Sequence, residues 1–341
     1  MTHFGVVAYC DYTVWIVPTR KTSLRTSRKR QLAHSAARPA KISAPWRLRK
    51  SGGLEVLELL PFTKFAWLAH GFSTRLGGTS VLDGQKVLNL SFMEWDTREN
   101  VLENRRLLQA ALGAKESKLV VMRQIHSDVV HPFKREILRF AQNDGVKSSP
   151  PACKGDAAIT KEPGLLLGTS TADCVPILLV DPRQRAVGAI HAGWRGTLAR
   201  IMQKTVGRMQ LEFGSKPGNL LAAIGPCIGG CCYEVSADFV TKFAAQFADA
   251  DEYFDEARTG DEPNPLQWLN MHPPGHQPPA KNVHLDLRKA NQSQLMAAGL
   301  QEANIFVSDL CTGCRTDLFF SYRKEGAVSG RMLSVIGVRR E

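Results

Sequence analysis

From Leu54 onward, apolar residues fall into short runs of strand length and longer stretches with helical spacing. EVLELL and FAWLAHGFST alternate as strands, and Leu76-Gly77-Gly78 marks a turn. VLENRRLLQAALG carries a helical stripe that Asp96 or Thr97 can cap, and Gly113 can end it in the left-handed conformation. KLVVMRQIH is a strand that runs into a polar loop. Farther along, Asp286 stands where it can cap a helix through LRKANQSQLMAA with Gly299 as its stop, and NIFVSD and MLSVIGV close the chain as strands. Two segments follow neither period. Residues 132–153 read as a surface insertion, and residues 257–282 form a loop crowded with Pro273, Pro274, Pro278 and Pro279. No internal repeat is visible, and one folded domain is expected over residues 54–341.

The most informative stretch is TSTADCVPILLVDPRQRAVGAIHAGWRG. VPILLV and AVGAI flank Asp181-Pro182-Arg183-Gln184, where proline suits the second position of a tight turn, so the pattern predicts a hairpin. If Asp181 pairs with Gln184, Cys174 falls opposite His191. Directly opposed residues share a face with Cβ atoms about 4.5–5.5 Å apart, a gap one metal ion can bridge. The inference depends on register, since a slip of one residue sends a side chain to the other face. In a regular strand Asp173 would point away from the pair. After His191, a glycine-bearing loop leads into TLARIMQKTVGRM, a helix that Thr197 would cap. Unpaired N–H groups there, with Arg195, make a place for an anion. A plain strand-to-helix connection with a solvent-facing arginine fits the spacing equally well.

Composition changes this picture little. With 341 residues and 43% hydrophobic content, the chain can bury a sizeable core. Its formal charge of +12 resembles that of a nucleic-acid binder until it is located: residues 1–50 hold eleven Lys or Arg and one acid, Asp11, which leaves +2 for the rest. The basic character belongs to an Arg- and Ser-rich extension over residues 1–53, expected to be disordered, through which nucleic acid would bind weakly if at all. No run approaches the roughly 18–20 apolar residues of a membrane span, and no secretory leader pattern opens the sequence, so a cytoplasmic protein with no membrane partner is expected. Eight cysteines are too sparse for a disulfide scaffold and would serve as thiols, metal ligands or nucleophiles.

STRLGG with VLNLS downstream, RQIHSDVV, GDAAIT, TADCVPILLVD, HAGWRGT, GPCIGGCCYEV and FFSYRKEG with SGRML follow one another from about Ala66 to the C-terminus. In that order they resemble the YfiH or laccase-domain family, also labelled multicopper polyphenol oxidoreductase. The resemblance implies a single-domain α+β fold, four-layer α/β/β/α with mixed sheets. It also implies one Zn2+ held by the histidine of Q-x-H, the cysteine of A-D-C and the histidine of H-A-G-W-R-G, which are His126, Cys174 and His191 here. The implied activity is phosphorolysis of adenosine, inosine, guanosine and S-methyl-5′-thioadenosine, together with adenosine deamination. Its partners are then purine nucleosides and phosphate, and its assembly a monomer or small homo-oligomer.

Three protein ligands leave a tetrahedral zinc one open position, the mark of a catalytic rather than a closed structural site. Proton transfer still needs an acid or base, for which Asp173 is the candidate. Arg75, Arg195 and Arg323 can offer forked donors to phosphate, and Asn89 and Gln124 can read a purine edge or a ribose hydroxyl. The blander roles are ion pairs for the arginines and turn stabilisation for the amides. Rival chemistries remain open: a cysteine hydrolase or deamidase in which His191 activates Cys174, and a copper-dependent polyphenol oxidase, since two histidines and a cysteine also suit copper. Nine histidines, several in the extension and the proline loop, argue against a multi-copper cluster. A zinc-structural or nucleic-acid module built on Cys227, Cys231, Cys232, Cys311 and Cys314 is the non-enzymatic alternative. CTGC has ligand-like spacing, but GPCIGGCC is not a clean partner for it, and buried thiols are the simpler account.

Overall fold

A computed structural model of the chain describes residues 42–134, 153–256 and 282–340. The expectations for residues 1–41, for most of the 132–153 insertion and for nearly all of the 257–282 loop lie outside these residues.

Two six-stranded sheets dominate. The first runs Trp46–Ser51, Leu54–Leu59, Leu68–Ser73, Met332–Val338, Leu165–Thr171, Lys118–Val121. The second runs Ile305–Val307, Leu221–Ile224, Val175–Asp181, Ala186–Ala192, Ala157–Thr160, Val130–Pro132. Most pairs are antiparallel, with parallel pairs at one edge of the first sheet and both edges of the second. The strands read as continuous apolar runs because both faces are buried. In Val175–Asp181, Ile177 and Leu179 pack toward helices while Leu178 and Val180 meet the first sheet. In Met332–Val338, Ile336 and Val338 face the second sheet and Leu333 and Val335 face outward. One core thus lies between the sheets. A second lies under the helices Ile201–Phe213 and Leu287–Ala297, and a third under the helix Arg98–Ala111. The layers are α/β/β/α, as the resemblance implies, and among the described residues no helix is long and apolar enough to cross a membrane.

At three helix ends local chemistry acts as the sequence predicts. The Thr97 side chain accepts the N–H of Asn100 at 3.2 Å, the Asp286 carboxylate accepts that of Arg288 at 2.9 Å, and Gly113 turns out of its helix at φ 64°.

The folded body begins earlier than Leu54. Trp46–Ser51 pairs antiparallel with Leu54–Leu59, Trp46 packs edge-on against Phe72 with ring centroids 5.5 Å apart, and the compact unit starts at Ile42. Arg47 and Arg49 alternate with Trp46 and Leu48 and share the buried carboxylate of Glu58 at 2.9 and 2.7 Å. A two-residue period whose polar positions are all basic is easily taken for the end of a basic tail.

Candidate metal centre

The chain crosses between the two six-stranded sheets at four places, and two of these crossings carry a candidate ligand. Strand Leu165–Thr171 of the first sheet is joined to Val175–Asp181 of the second by only three residues, with Asp173 at φ 94° and Cys174 next in line. Strand Lys118–Val121 of the first sheet leads to Val130–Pro132 of the second through a loop that holds His126 at φ 57°. His191 comes from Ala186–Ala192, on the strand face that carries Val187 and Ala189 toward the first sheet. Asp173 is therefore a corner in a sparsely populated backbone region and not a regular strand residue.

The predicted hairpin forms, but in a register two residues away from the expected one. Asp181 pairs with Ala186 rather than Gln184, because four residues make the connection. The Asp181 carboxylate accepts the N–H groups of Arg183 and Gln184 at 2.9 and 3.1 Å, and Arg185 closes the loop at φ 47°. His191 then lies opposite Pro176, and Cys174 lies diagonal to it, just beyond the strand. A shift of two preserves the face, so the two side chains still converge.

The ligating atoms of His126, Cys174 and His191 all lie within 4.8 Å of one another, with Cys174 Sγ 3.9 Å from His126 Nε2. The histidine rings stand edge to face, 4.8 Å apart. One residue organises the group. Asp156, fully buried, accepts the backbone N–H groups of Ile125, His126 and Ser127 at 3.3, 3.0 and 2.6 Å, and the Ser127 hydroxyl at 2.6 Å. It also takes the Nδ1–H of His191 at 2.8 Å, which leaves Nε2 of that ring for a metal. Burial works against this charge, yet the hydrogen bonds from His191 and Ser127 hold the Asp156 carboxyl well below the usual range. Burial likewise disfavours charge on Cys174 and His191, but each favours the other's ionised form, so the thiol is brought down to about 6 and the imidazole up to about 9. A β-carbon at Gly193 would stand 2.9 Å from His126 Cδ2 and 3.2 Å from Cys174 Sγ, so this loop requires glycine. The donor set suits zinc, whose bonds of about 2.3 Å to sulfur and about 2.0–2.1 Å to nitrogen place such donors roughly 3.5 Å apart.

A cavity of about 970 Å³ opens over the three ligands. Its wall carries the aromatic rings of Phe92, Trp194, Tyr233 and Tyr322 and the side chains of Arg105, Arg123, Arg195, Arg323 and Arg331. Among the described residues none of these five arginines is ion-paired. Burial, then Arg98, brings Arg105 down to about 10, and burial also lowers Arg331.

A family model described as multi-copper polyphenol oxidoreductase laccase matches residues 69–339. The chain belongs to this family. It is similar to the purine nucleoside phosphorylase YlmD of Geobacillus stearothermophilus, 35% identical over 279 residues that cover 81% of this chain and 92% of that one. It is likewise similar to adenosine deaminase RL5 from an unknown prokaryotic organism, 35% identical over 282 residues, 82% of this chain and 98% of that one. The crystal structure of the Bacillus licheniformis hypothetical protein YfiH superposes with a TM-score of 0.71 at 29% identity, over 87% of this chain and all of that one.

Of the other sequence-predicted residues, this laccase-family fold brings Asp173, Gln124, Arg195 and Arg323 to the cavity and leaves Arg75 and Asn89 out of its lining. The Arg75 guanidinium is spent on Glu325 at 2.5 Å and the Thr316 carbonyl at 2.9 Å. Asn89 is buried; it donates to Asp96 at 2.7 Å and accepts the N–H of Arg331 at 3.1 Å, so it ties the chain segments behind the cavity together. The Gln124 amide pairs both ways with the Ser170 backbone at 2.8 and 2.7 Å. Both Asp173 oxygens accept hydrogen bonds, one from the Thr312 hydroxyl and one from the Arg323 N–H, each at 2.6 Å, so the residue braces the CTGC turn against the Arg323 segment. Thr197 is not a helix cap. It sits inside the short helix Trp194–Leu198, buried, accepting from Asn291 at 3.1 Å, and Arg200 at φ 61° separates that turn from Ile201–Phe213. The residues missed in the sequence include Asp156, Arg105, Arg123, Tyr233 and Arg331. All but Arg105 stand in quoted motifs, RQIHSDVV, GDAAIT, GPCIGGCCYEV and SGRML, but none carries a spacing that marks its role.

Proposed function

We propose that this chain is a zinc-dependent purine nucleoside phosphorylase that uses adenosine, inosine, guanosine and S-methyl-5′-thioadenosine and also deaminates adenosine. One observation carries the reading: the His126, Cys174 and His191 donors lie in a cavity whose wall combines aromatic faces with five arginines that, among the described residues, lack ion-pair partners. Aromatic faces suit a purine, and uncompensated guanidinium groups suit phosphate. The names of the phosphorylase and deaminase relatives support the same substrates.

Zinc, when bound by His126, Cys174 and His191, supplies Lewis acidity in the cavity. The remaining work falls to the protein. Asp156 fixes the tautomer and tilt of His191 and the backbone of His126, so the donors are held in place before a substrate arrives. Arg195 lies over the Trp194 ring at 4.4 Å and Arg323 over Tyr233 at 5.2 Å, which keeps both cations beside the aromatic surface. There a phosphate oxygen would bond to C1′ of the ribose while the bond to the purine nitrogen breaks and the base takes up a proton. Tyr233, pushed up to about 12 by burial and then by the nearby Cys174 charge, keeps its proton at neutral pH and is the donor we assign to that base.

A second reading, a cysteine hydrolase or deamidase, is favoured by one observation, the thiolate of Cys174 stabilised by His191. For the multi-copper chemistry in the family description, the described residues offer one group of two histidines and a cysteine and one group of four cysteines. The test incubates purified protein with adenosine, with and without phosphate, and follows adenine, ribose 1-phosphate and inosine. Chelation and Cys174→Ala are expected to abolish all three in protein whose circular dichroism is unchanged. Turnover that survives chelation but not Cys174→Ala would transfer the assignment to a cysteine hydrolase, and turnover that survives both would overturn the site.

A further inference from the structure

Four cysteines away from the cavity meet in one place. Leu221–Ile224 and Ile305–Val307 are parallel neighbours, and a backbone bridge between Cys227 and Cys311 carries their pairing into the loops beyond. Those loops bring Cys231 and Cys232 against Cys311 and Cys314. All four sulfurs lie within 4.8 Å of one another, and Cys314 Sγ is 3.5 Å from that of Cys231 and 3.4 Å from that of Cys232. Sulfurs around one zinc ion at about 2.3 Å form a tetrahedron with edges of roughly 3.8 Å. A disulfide needs about 2.05 Å, and all four cysteines are free.

We propose that Cys231, Cys232, Cys311 and Cys314 form a second metal site that binds one zinc ion in a closed four-sulfur shell. Two details of the loops fit a ligand cage better than a chance packing of thiols. Cys311 Sγ accepts the backbone N–H of Gly229 at 3.2 Å and also that of Cys314, the hydrogen-bonding expected around a metal-bound thiolate. Gly313, between the two cysteines of CTGC, has room for no side chain: a β-carbon there would meet Cys232 Cβ at 2.9 Å and its Sγ at 3.1 Å. The adjacent pair Cys231-Cys232 hides the site in the sequence, because only CTGC has a familiar ligand spacing. On binding, the four thiols release their protons to solvent and four thiolates share the divalent cation. No redox step is involved, and the shell has no open position for substrate.

The site would brace the first one. Thr312, inside the CTGC turn, donates to the Asp173 carboxylate at 2.6 Å, and Ile228, three residues before Cys231, donates its N–H to the Asp173 carbonyl at 2.9 Å. An ion joining the two loops would clamp the corner from which Cys174 projects.

Metal counting tests this independently of the nucleoside reading. Full-length protein purified from zinc-supplemented medium should hold about two zinc ions per chain, about one in Cys174→Ala, about one in Cys231→Ser/Cys314→Ser, and none when these changes are combined. Cobalt added to metal-free Cys174→Ala should give strong sulfur-to-metal charge-transfer absorption that vanishes in the combined variant. As a check that needs no variant, zinc added to chelated wild-type protein should protect four cysteines besides Cys174 from a thiol reagent, identified by peptide mass. Cys174→Ala protein without zinc, iron in place of zinc, or a Cys231–Cys314 or Cys232–Cys314 disulfide in freshly purified protein would each overturn the proposal.

Discussion

Asp156→Asn tests the organisation of the metal centre at its root. The carboxylate accepts five donors: Oδ1 takes the N–H groups of His126 and the His191 ring, and Oδ2 takes the N–H groups of Ile125 and Ser127 and the Ser127 hydroxyl. Asparagine keeps one oxygen, so whichever way its amide turns, at least two donors, buried or half-buried, face an NH2 group. At about 1–3 kcal/mol for an orphaned buried group and less for a half-buried one, the loss is about 1–4 kcal/mol, and at roughly 2–4 °C per kcal/mol the melting temperature of metal-free protein should fall by about 2–16 °C. Removing the carboxylate that orients a ligating histidine typically weakens metal binding by about 10–100-fold. A competition titration against a chromophoric chelator reads the affinity and a thermal melt reads the stability. Because the folded Asp156 pKa is depressed, its contribution is present above the unfolded pKa and disappears as pH falls through the folded one, so the penalty should be full at neutral pH and shrink only in strong acid. An Asp156→Asn variant that binds zinc within about twofold of wild type and melts at the same temperature would refute Asp156 as the organiser.

Two further predictions rest on different parts of the molecule. In metal-free protein, Cys174 alkylation should rise with a midpoint near pH 6, since its folded pKa is brought down to about 6; the stability it lends is present above the unfolded value and lost as pH falls through 6. The partner stability from His191 runs the other way, present below the unfolded value and lost as pH rises through about 9, so a Cys174 midpoint near that of an ordinary thiol would exclude the ion pair. Deleting residues 1–53 should destabilise the protein by at least about 3 kcal/mol more than deleting residues 1–41, because it removes buried Trp46 and the strand that carries it. Equal denaturant midpoints for the two truncations would show that this strand adds nothing.

Features that depend on near neighbours along the chain were legible in the residues alone. The short apolar runs of Val175–Asp181 and Met332–Val338, the caps at Thr97 and Asp286 and the hairpin around Pro182 act within a few residues, and each is present in the fold. His126 was legible only because its motif resembles a family, whereas the hairpin pattern also placed Cys174 and His191 on one face. The register behind that inference was two residues off, so the two side chains meet diagonally rather than directly opposed, since Asp181 and Arg185 build a longer turn than proline alone suggests.

Everything else follows from contacts between distant segments. Asp156 gains its role because five donors from two chain segments converge on one buried carboxylate, and a single aspartate ahead of a strand carries no local mark of that. Arg75 and Asn89 sit in motif segments as Arg323 does, yet Glu325 and Asp96 claim them while Arg323 reaches the cavity. The four cysteines meet because two parallel strands set their loops side by side, which brings Cys231 and Cys314, 83 positions apart in the chain, within reach of one ion. Burial makes each of these choices, since a polar group removed from water must find a partner wherever the fold supplies one.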